Sequence, residues 1–380
     1  MSAPDPRRPG TAADGAPRAR SGRGAGTTLP RLRAGVLGAT GAVGQRFVQL
    51  LAGHPWFDLV ALAASERSAG KAYAEAVPWR LDVPLPPAAR DLPVQPARPG
   101  LECDLVFSAL DAAVAGPIEE AFAKAGYAVL SNSRNHRMDE DVPLLVPEVN
   151  ADHAALIEVQ KKRRGWKGFI VTNPNCSTVT LTLALAPLER RFGLKSVVVT
   201  TLQAVSGAGY PGVPSLDILG NVVPFIAGEE EKIERETRKI LGRLEGGGGA
   251  IAMHPMVVSA QTTRVPVVDG HTASVFVSLE KHAGLEELRE AFRNFTGPPQ
   301  QLGLPSAPAH PTVLLEAPDR PQPRLDLNVE RGMATLVGRL RRCELLGWKF
   351  IALGHNTIRG AAGAAILNAE LLVAESLIAR

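Results

Sequence analysis

Cysteine is scarce: only Cys103, Cys176 and Cys343 occur in 380 residues. So sparse and odd a set excludes a disulfide framework and fits a reducing compartment, with the cytoplasm as the expected location. Long apolar runs are missing too. No stretch approaches ~18 consecutive apolar residues and the N-terminus carries no apolar signal core, so neither a spanning helix nor Sec export is expected. No internal repeat is visible. Strong charge of one sign is also lacking outside the leader. The chain is formally +4, yet seven arginines (Arg7, Arg8, Arg18, Arg20, Arg23, Arg31, Arg33) stand against Asp5 and Asp14 in the first 33 residues, which leaves the remainder close to neutral. Nucleic acid and membrane are therefore not expected partners. Residues 1–30, rich in Gly, Pro, Ala and Arg, have too few large apolar side chains to offset their ordering entropy and read as a disordered, solvated tail. An organellar transit peptide or a nucleic-acid-binding arm would be Arg-rich as well, but an amphipathic helical pattern is missing here.

What is present is a chain with 45% hydrophobic residues, long enough for roughly two to three domains. Order begins at "RLRAGVLGATGAVGQRFVQLLAGHPWFDLVALAAS". A short apolar strand over 33–38, helical spacing over 41–53 and a buried strand over 57–63 make a βαβ unit. Gly38, Gly41 and Gly44 fall in the turn and the first helical turn, where bare backbone and a helix N-terminus suit a pyrophosphate. The spacing is GxxGxxG rather than GxGxxG. After the second strand, "ASERSAGKAY" offers Ser65, Arg67 and Ser68 to a 2′-phosphate, which favours NADP, while Glu66 is a candidate ribose ligand and keeps NAD open. Further strands over 104–110 and 127–131, separated by a helix over 112–125, imply a mostly parallel sheet with helices on both faces. Asp152 reads as the cap of a helix reaching residue 164, and "GFIVTNPN" as a strand with its turn. From Lys195 onward, "KSVVVTTLQAV", "TASVFVSLEK", "ATLVGRLRRCE" and "WKFIALGH" are longer and several alternate, as in an antiparallel or mixed sheet with one covered face. The fold class is thus α/β: a Rossmann-like parallel-sheet domain over 31–165, completed by a C-terminal helix over 355–380, plus an α+β domain over 166–354.

In "TNPNCSTVTLTLALAPL", Pro174 sets a turn and Cys176 falls at or just before a helix N-terminus. Free N–H groups and the positive dipole end there favour thiolate over thiol, below the ordinary ~8.5, and the same groups could hold an oxyanion. Cys103 and Cys343 lie in or beside strand patterns and read as small buried hydrophobes.

Taken together, "GATGAVGQRFVQLL", "NHRMDEDVPLLVPEVN", "NPNCSTVTLTLALAPL", "LQAVSGAGYPG", "EEEKIERET", "TTRVPVVDGHTASVFVSLE" and "GHNTIRGAAGAA" resemble aspartate-semialdehyde dehydrogenase, in wording closest to its archaeal and fungal branch. The resemblance runs from about Arg33 to the C-terminus. It implies NADPH-dependent reduction of β-aspartyl phosphate to aspartate β-semialdehyde with release of phosphate, on the route to lysine, threonine, methionine and isoleucine, by a homodimer or homotetramer. It makes Cys176 the nucleophile, His271 the acid/base, and Gln203 and Asn175 the residues that position the acyl group. Arg264 would pair with the α-carboxylate, Glu229 with the α-ammonium group, and Lys232 with Arg137 would bind the departing phosphate. For the cofactor it places Thr40, Gly41, Ala42 and Val43 at the pyrophosphate, Arg67 and Ser68 at the adenosine phosphate, and Ser206, Gly207 and Asn356 nearer the nicotinamide. No metal is implied. The chemistry is coherent, because a thioester accepts hydride better than a carboxylate. By the residues alone, "GEEEKIERETRKILG" reads as a solvated amphipathic helix. Alternatives are a malonyl-CoA or succinyl-CoA reductase of the same fold, an N-acetylglutamyl-phosphate reductase, and an NADP-binding redox sensor that uses Cys176 without turnover.

Overall fold

The computed structural model describes residues 31–246 and 248–379; the Arg-rich leader lies outside the described residues. Two six-stranded sheets organise them. The first is built from β1 (Leu32–Leu37), β2 (Phe57–Ala64), β3 (Val94–Pro96), β4 (Leu105–Ser108), β5 (Ala128–Ser131) and β6 (Phe169–Thr172) in the order β3-β2-β1-β4-β5-β6, and every pair in it is parallel. Parallel strands linked by crossovers are covered on both faces and so need continuous apolar runs. That is what "LVFS", "AVLS" and "FIVT" supply, each with all four residues buried. β1 lies where the strand order reverses, between β2 and β4, and the crevice beyond its C-terminal end is where α/β sheets bind ligands.

The second sheet contains β7 (Leu194–Gln203), β10 (Val257–Arg264), β11 (His271–Leu279), β12 (Thr312–Leu315), β13 (Thr335–Cys343) and β14 (Gly347–Gly354). Its order is β10-β7-β11-β14-β13-β12. It is mixed: β7, β11, β14 and β13 pair antiparallel, while β10 and β12 join in parallel at the edges. β11 alternates buried with half-buried residues along most of its length, the mark of a sheet with one packed face. The two remaining strands, β8 (Arg243–Leu244) and β9 (Ile251–Ala252), form a small antiparallel ribbon.

A helix at Cys176–Phe192 connects the sheets, and 13 of its 17 residues are buried. A helix apolar all round is an interior element, and this one shares a core with Val197, Val199, Val275 and Phe350 of the second sheet. Two of its threonines bond backward, Thr180 Oγ1 to the Cys176 carbonyl at 3.3 Å and Thr182 Oγ1 to the Thr178 carbonyl at 2.8 Å.

Three local expectations change. Asp152 caps no helix; it sits inside a 3-10 turn (Ala151–Ala155) that leads into the helix Leu156–Arg164, whose own cap position, Ala155, offers no side-chain acceptor. β3, β10 and β12 were not legible as strands. The C-terminal segment is not one long helix from residue 355. Asn356 and Thr357 stay outside it, a π-helical turn occupies Ile358–Ala362, and the α-helix runs Gly363–Ala374. That helix does pack on the first sheet, with Ala365, Ile366, Ala369 and Leu372 in one cluster with Val36, Phe47 and Phe57. Among the described residues no helix is long and apolar enough to cross a membrane.

Candidate active site

The Asn-Pro-Asn turn that ends β6 delivers Cys176 to the first position of its helix. Asn175 is the N-cap: its Oδ1 accepts from Ser177 N–H at 2.9 Å and Thr178 N–H at 3.4 Å. Two of the helix-terminus N–H groups, which the sequence offers collectively to an oxyanion, are therefore engaged by the cap. The Asn175 amide also donates to Glu229 Oε2 at 2.8 Å. Pro174 is flanked by a second anchored residue, Asn173, whose Nδ2 donates to Asn132 Oδ1 and the Ala361 carbonyl and whose Oδ1 accepts from Asn368. Both asparagines of the turn are thus tied by their side chains.

His271 opens β11, in register with Gly354 of β14. Its Nε2 lies 3.1 Å from Cys176 Sγ, and its Nδ1 accepts from Ala204 N–H at 3.1 Å. A backbone N–H only donates, so Nδ1 carries no hydrogen and the neutral ring holds its proton on Nε2, aimed at the sulfur. Imidazolium would set two N–H groups against each other at Nδ1. Burial, then Arg264 and His355, hold the ring down at about 3. The thiol behaves against expectation. Cys176 keeps some surface open but sits deep enough that burial, with Glu229 acting in the same sense, pushes it up to about 12, and the opposing pull of Arg137, the Ser177 N–H and Arg264 is smaller. At rest the pair is neutral thiol and neutral imidazole; the expected helix-terminus effect exists but loses to desolvation.

Gln203 ends β7 and Arg264 ends β10, in register with each other. Gln203 is buried, with Nε2 near Thr201 Oγ1 and Glu229 Oε2 at 3.3 and 3.4 Å. Arg264 donates from Nη1 to the Ala204 carbonyl at 2.7 Å, and burial lowers its pKa. Gly207 is pressed on both: a Cβ there would lie 2.9 Å from His271 Cε1 and 3.0 Å from Arg264 Nη1. Ser206 Oγ accepts from Asn356 Nδ2 at 2.7 Å while Asn356 Oδ1 accepts from Gly270 N–H at 2.8 Å, so Asn356 ties the glycine-rich loop to the residue before His271.

The helix Glu229–Ile240 was misjudged from residues alone. Glu229, Glu236 and Lys239 are buried, so the helix turns a charged face inward rather than to solvent. Glu229 and Lys232 contact each other, Lys232 Nζ to Glu229 Oε1 at 2.6 Å. Arg137 reaches the same helix, donating to Glu236 at 3.0 Å and to the Asn132 carbonyl at 2.7 Å. Glu236 and Lys239 were missed. The available signal was spacing: 229, 232, 236 and 239 fall on one helical face, interleaved with the buried Ile233 and Ile240.

At the first sheet, Thr40 to Gly44 form the turn into the helix Ala42–Leu51. Gly38 has φ +76°, and a Cβ on Gly44 would lie 2.2 Å from the Gly38 carbonyl, so both must be glycine for helix and strand to close. The N-cap, Gly41, offers no side-chain cap, and no acidic residue, Val43 and its neighbours included, stands in the first turn. The leading N–H groups are left for an anion, which is how a dinucleotide pyrophosphate is held. Ser65, Arg67 and Ser68 follow β2 in a turn closed by Ser68 N–H to the Ser65 carbonyl at 2.9 Å; Arg67 is exposed. Among the described residues no group of three His, Cys, Asp or Glu could hold a metal ion.

A switch-point sheet with an uncapped glycine turn, joined to a mixed sheet whose strand ends surround a thiol–imidazole pair, defines a dinucleotide-linked semialdehyde dehydrogenase. Family descriptions agree: residues 33–157 match the semialdehyde dehydrogenase NAD binding domain and residues 185–359 the semialdehyde dehydrogenase dimerisation domain. The aspartate-semialdehyde dehydrogenase of Archaeoglobus fulgidus is 52% identical over 349 residues, spanning 92% of this chain and 100% of its own. That of Cryptococcus neoformans is 52% identical over 360 residues, spanning 92% and 99%. A solved structure of aspartate semialdehyde dehydrogenase with NADP from Candida albicans matches with a TM-score of 0.85 at 46% identity, covering 91% of this chain and 100% of that one. The chain belongs to the aspartate-semialdehyde dehydrogenase family.

Proposed function

We infer that the chain reduces L-4-aspartyl phosphate to L-aspartate 4-semialdehyde with NADPH, releasing phosphate, as a step of amino-acid biosynthesis. The observation that carries this is the Cys176–His271 contact of 3.1 Å, with Gln203, Arg264 and Glu229 converging on it. Two buried charges of opposite sign suit an amino-acid backbone: Arg264 faces the α-carboxylate and Glu229 the α-ammonium group. A CoA thioester without an α-amino group has no use for Glu229, and a redox sensor has no use for the convergence, so the reductase and sensor readings are not favoured.

Attack requires the sulfur anion. Arg137 and Arg264 stabilise it, and the His271 Nε2–H donates to it. The sulfur displaces phosphate, which takes up the thiol proton and departs as hydrogen phosphate toward Arg137 and Lys232, and the acyl group is held as a thioester on Cys176 with Gln203 beside it. Gly38 to Gly44 would hold the pyrophosphate of NADPH and Arg67 its 2′-phosphate, and the bound cofactor would supply the hydride. The oxyanion left by hydride addition accepts a hydrogen bond from the His271 Nε2–H, which keeps its proton because Nδ1 is already occupied by the Ala204 N–H; collapse to the aldehyde expels the sulfur as thiolate, and water supplies the proton that restores the thiol. Asn175 acts by holding the turn.

The cofactor domain is assigned to 31–165 with 355–380, and the catalytic domain to 166–354. The exposed face of the second sheet, where Val198 is 42% and Val257 is 67% exposed, suits a homodimer interface; light scattering separates dimer from tetramer. A cytoplasmic location fits the free thiols. The deciding assay is a panel: aspartate semialdehyde plus phosphate against malonyl-CoA and succinyl-CoA, each with NADP(H) and NAD(H). Phosphate-dependent reduction of NADP by aspartate semialdehyde is the expected result; turnover of the CoA thioesters instead overturns it.

A further inference from the structure

The charged helix holds a carboxylate that no step above uses. Glu236 is buried, and each of its oxygens is taken by a different part of the site. Oε1 accepts from Arg137 Nη1 at 3.0 Å, and Oε2 accepts from the backbone N–H of Asn175 at 2.6 Å. One side chain therefore bridges the guanidinium assigned to phosphate and the residue immediately before the nucleophile. Arg137 has a second tether, Nη2 to the Asn132 carbonyl at 2.7 Å, while its Nε is buried without a partner among the described residues. One turn further on, Lys239 Nζ donates to the carbonyls of Arg137, Asp139 and Val142 at 2.8, 2.7 and 2.9 Å. Burial lowers the Lys239 ammonium to about 8. Glu236 grips the Arg137 side chain and Lys239 its backbone, both from one face of a single helix.

A brace that served packing alone would not need ions. Burying a carboxylate and an ammonium is costly unless each is paired, and an apolar face would hold the loop at less cost. A guanidinium that must meet a departing dianion at fixed geometry does need such support, because a long, flexible side chain otherwise spends binding energy on its own ordering. The carboxylate also offsets part of the Arg137 charge.

We propose that Glu236 is a positioning residue that aims Arg137 at the departing phosphate and fixes that guanidinium relative to the Cys176 turn. The proposal rests on the reading of Arg137 as a phosphate ligand. The test is run in the oxidative direction, with purified full-length enzyme, aspartate semialdehyde, NADP and inorganic phosphate, comparing Glu236→Ala, Glu236→Gln, Arg137→Ala and the double variant Glu236→Ala/Arg137→Ala. Glu236→Ala should raise the KM for phosphate by about tenfold while the KM values for aldehyde and NADP stay within about twofold. Glu236→Gln, which keeps the length and one acceptor, should recover part of that loss and carries the comparison if the alanine variant does not fold. In its phosphate KM the double variant should match Arg137→Ala alone, because Glu236 acts on phosphate through Arg137. An unchanged phosphate KM, an equal rise in all three KM values, or multiplying effects in the double variant each overturn the proposal while wild-type phosphate saturation leaves the functional reading standing. A wild-type enzyme with no phosphate dependence overturns both.

Discussion

Gly360 lies in the π-helical turn that packs on Cys176, and a Cβ placed on it would sit 2.7 Å from Cys176 Cβ and 3.1 Å from Cys176 Cα. Carbon atoms rest at about 3.5–4.0 Å, so Gly360→Ala forces the turn and the cysteine apart by roughly 1 Å. The turn is poorly able to yield. Ala361 is held by Asn173 Nδ2 at 2.9 Å, Gly360 N–H by the His355 carbonyl at 2.9 Å, and the neighbouring Arg359 is locked to Glu148 in a fully buried ion pair. The strain, about 1–3 kcal/mol for an overpacked interior, therefore falls partly on Cys176. A displacement of ~1 Å at a reacting atom costs on the order of a hundredfold in rate. The expected outcome is kcat down by about that factor, slowed alkylation of Cys176 by iodoacetamide, a melting temperature lower by only a few degrees, and an unchanged Kd for NADP. A variant with wild-type kcat and alkylation rate would refute the reasoning, since the methyl group would then have been absorbed without moving the sulfur.

Cys176→Ser should abolish turnover while leaving NADP binding and the melting temperature near wild type; near-normal phosphate-dependent oxidation of aspartate semialdehyde would remove the thioester mechanism. Arg67→Ala should raise the KM for NADP much more than that for NAD, and equal effects would detach this exposed guanidinium from the 2′-phosphate. Because His271 is held near 3 against an ordinary 6.5, its neutral form contributes stability above pH 6.5 that is lost as pH falls toward 3, about 2 kcal/mol of it between pH 7 and pH 5. Urea titrations at those two pH values should show a smaller acid penalty in His271→Gln, and identical penalties would contradict the buried neutral ring. With the thiol pushed up to about 12, alkylation of Cys176 in the free enzyme should keep rising through pH 10; a plateau near an ordinary thiol's ~8.5 would place the anion closer to hand than the geometry allows.

The first sheet was legible because parallel strands announce themselves as unbroken apolar runs between glycine turns, and β1, β2, β4, β5 and β6 all fall where "AGVL", "FDLVALAA", "DLVFSAL", "YAVLS" and "GFIVT" place them. Edge strands carry a weaker signal. β3 contributes three residues and β12 four, and β10, "VVSAQTTR", exposes about half of its side chains, so neither its hydrophobicity nor its period marks it. At the site, Cys176 was readable from its turn, and His271, Gln203 and Arg264 from the family resemblance. What one dimension concealed was direction. The same run of charges in 229–239 fits a wetted face or a buried one, and only the Arg137 loop packed on it decides which. The state of the thiol was concealed for a related reason. A helix terminus acts locally and can be inferred from local sequence, whereas the packing of Gly360 and His271 on the sulfur and the negative charge of Glu229 come from residues far from Cys176 in the chain.

These burials explain why so many ions surround a resting site that is itself uncharged at its centre. Glu229 meets Lys232, Glu236 meets Arg137 and Glu148 meets Arg359, and in each pair the partner offsets a desolvation cost that neither group could bear alone. Among the described residues the Arg264 side chain hydrogen-bonds only the Ala204 carbonyl, through Nη1, and in the reaction proposed here it meets a carboxylate when substrate arrives. Substrate therefore changes the charge balance beside Cys176 and His271, which are neutral beforehand because nothing nearby compels either to ionise. Keeping the sulfur as a thiol until the acyl phosphate is in place protects it from oxidation and from stray electrophiles, both of which select for thiolate. A permanently ionised cysteine would be the faster nucleophile on paper but the shorter-lived one, and in this fold the balance is set by how deeply the turn is packed rather than by where its helix begins.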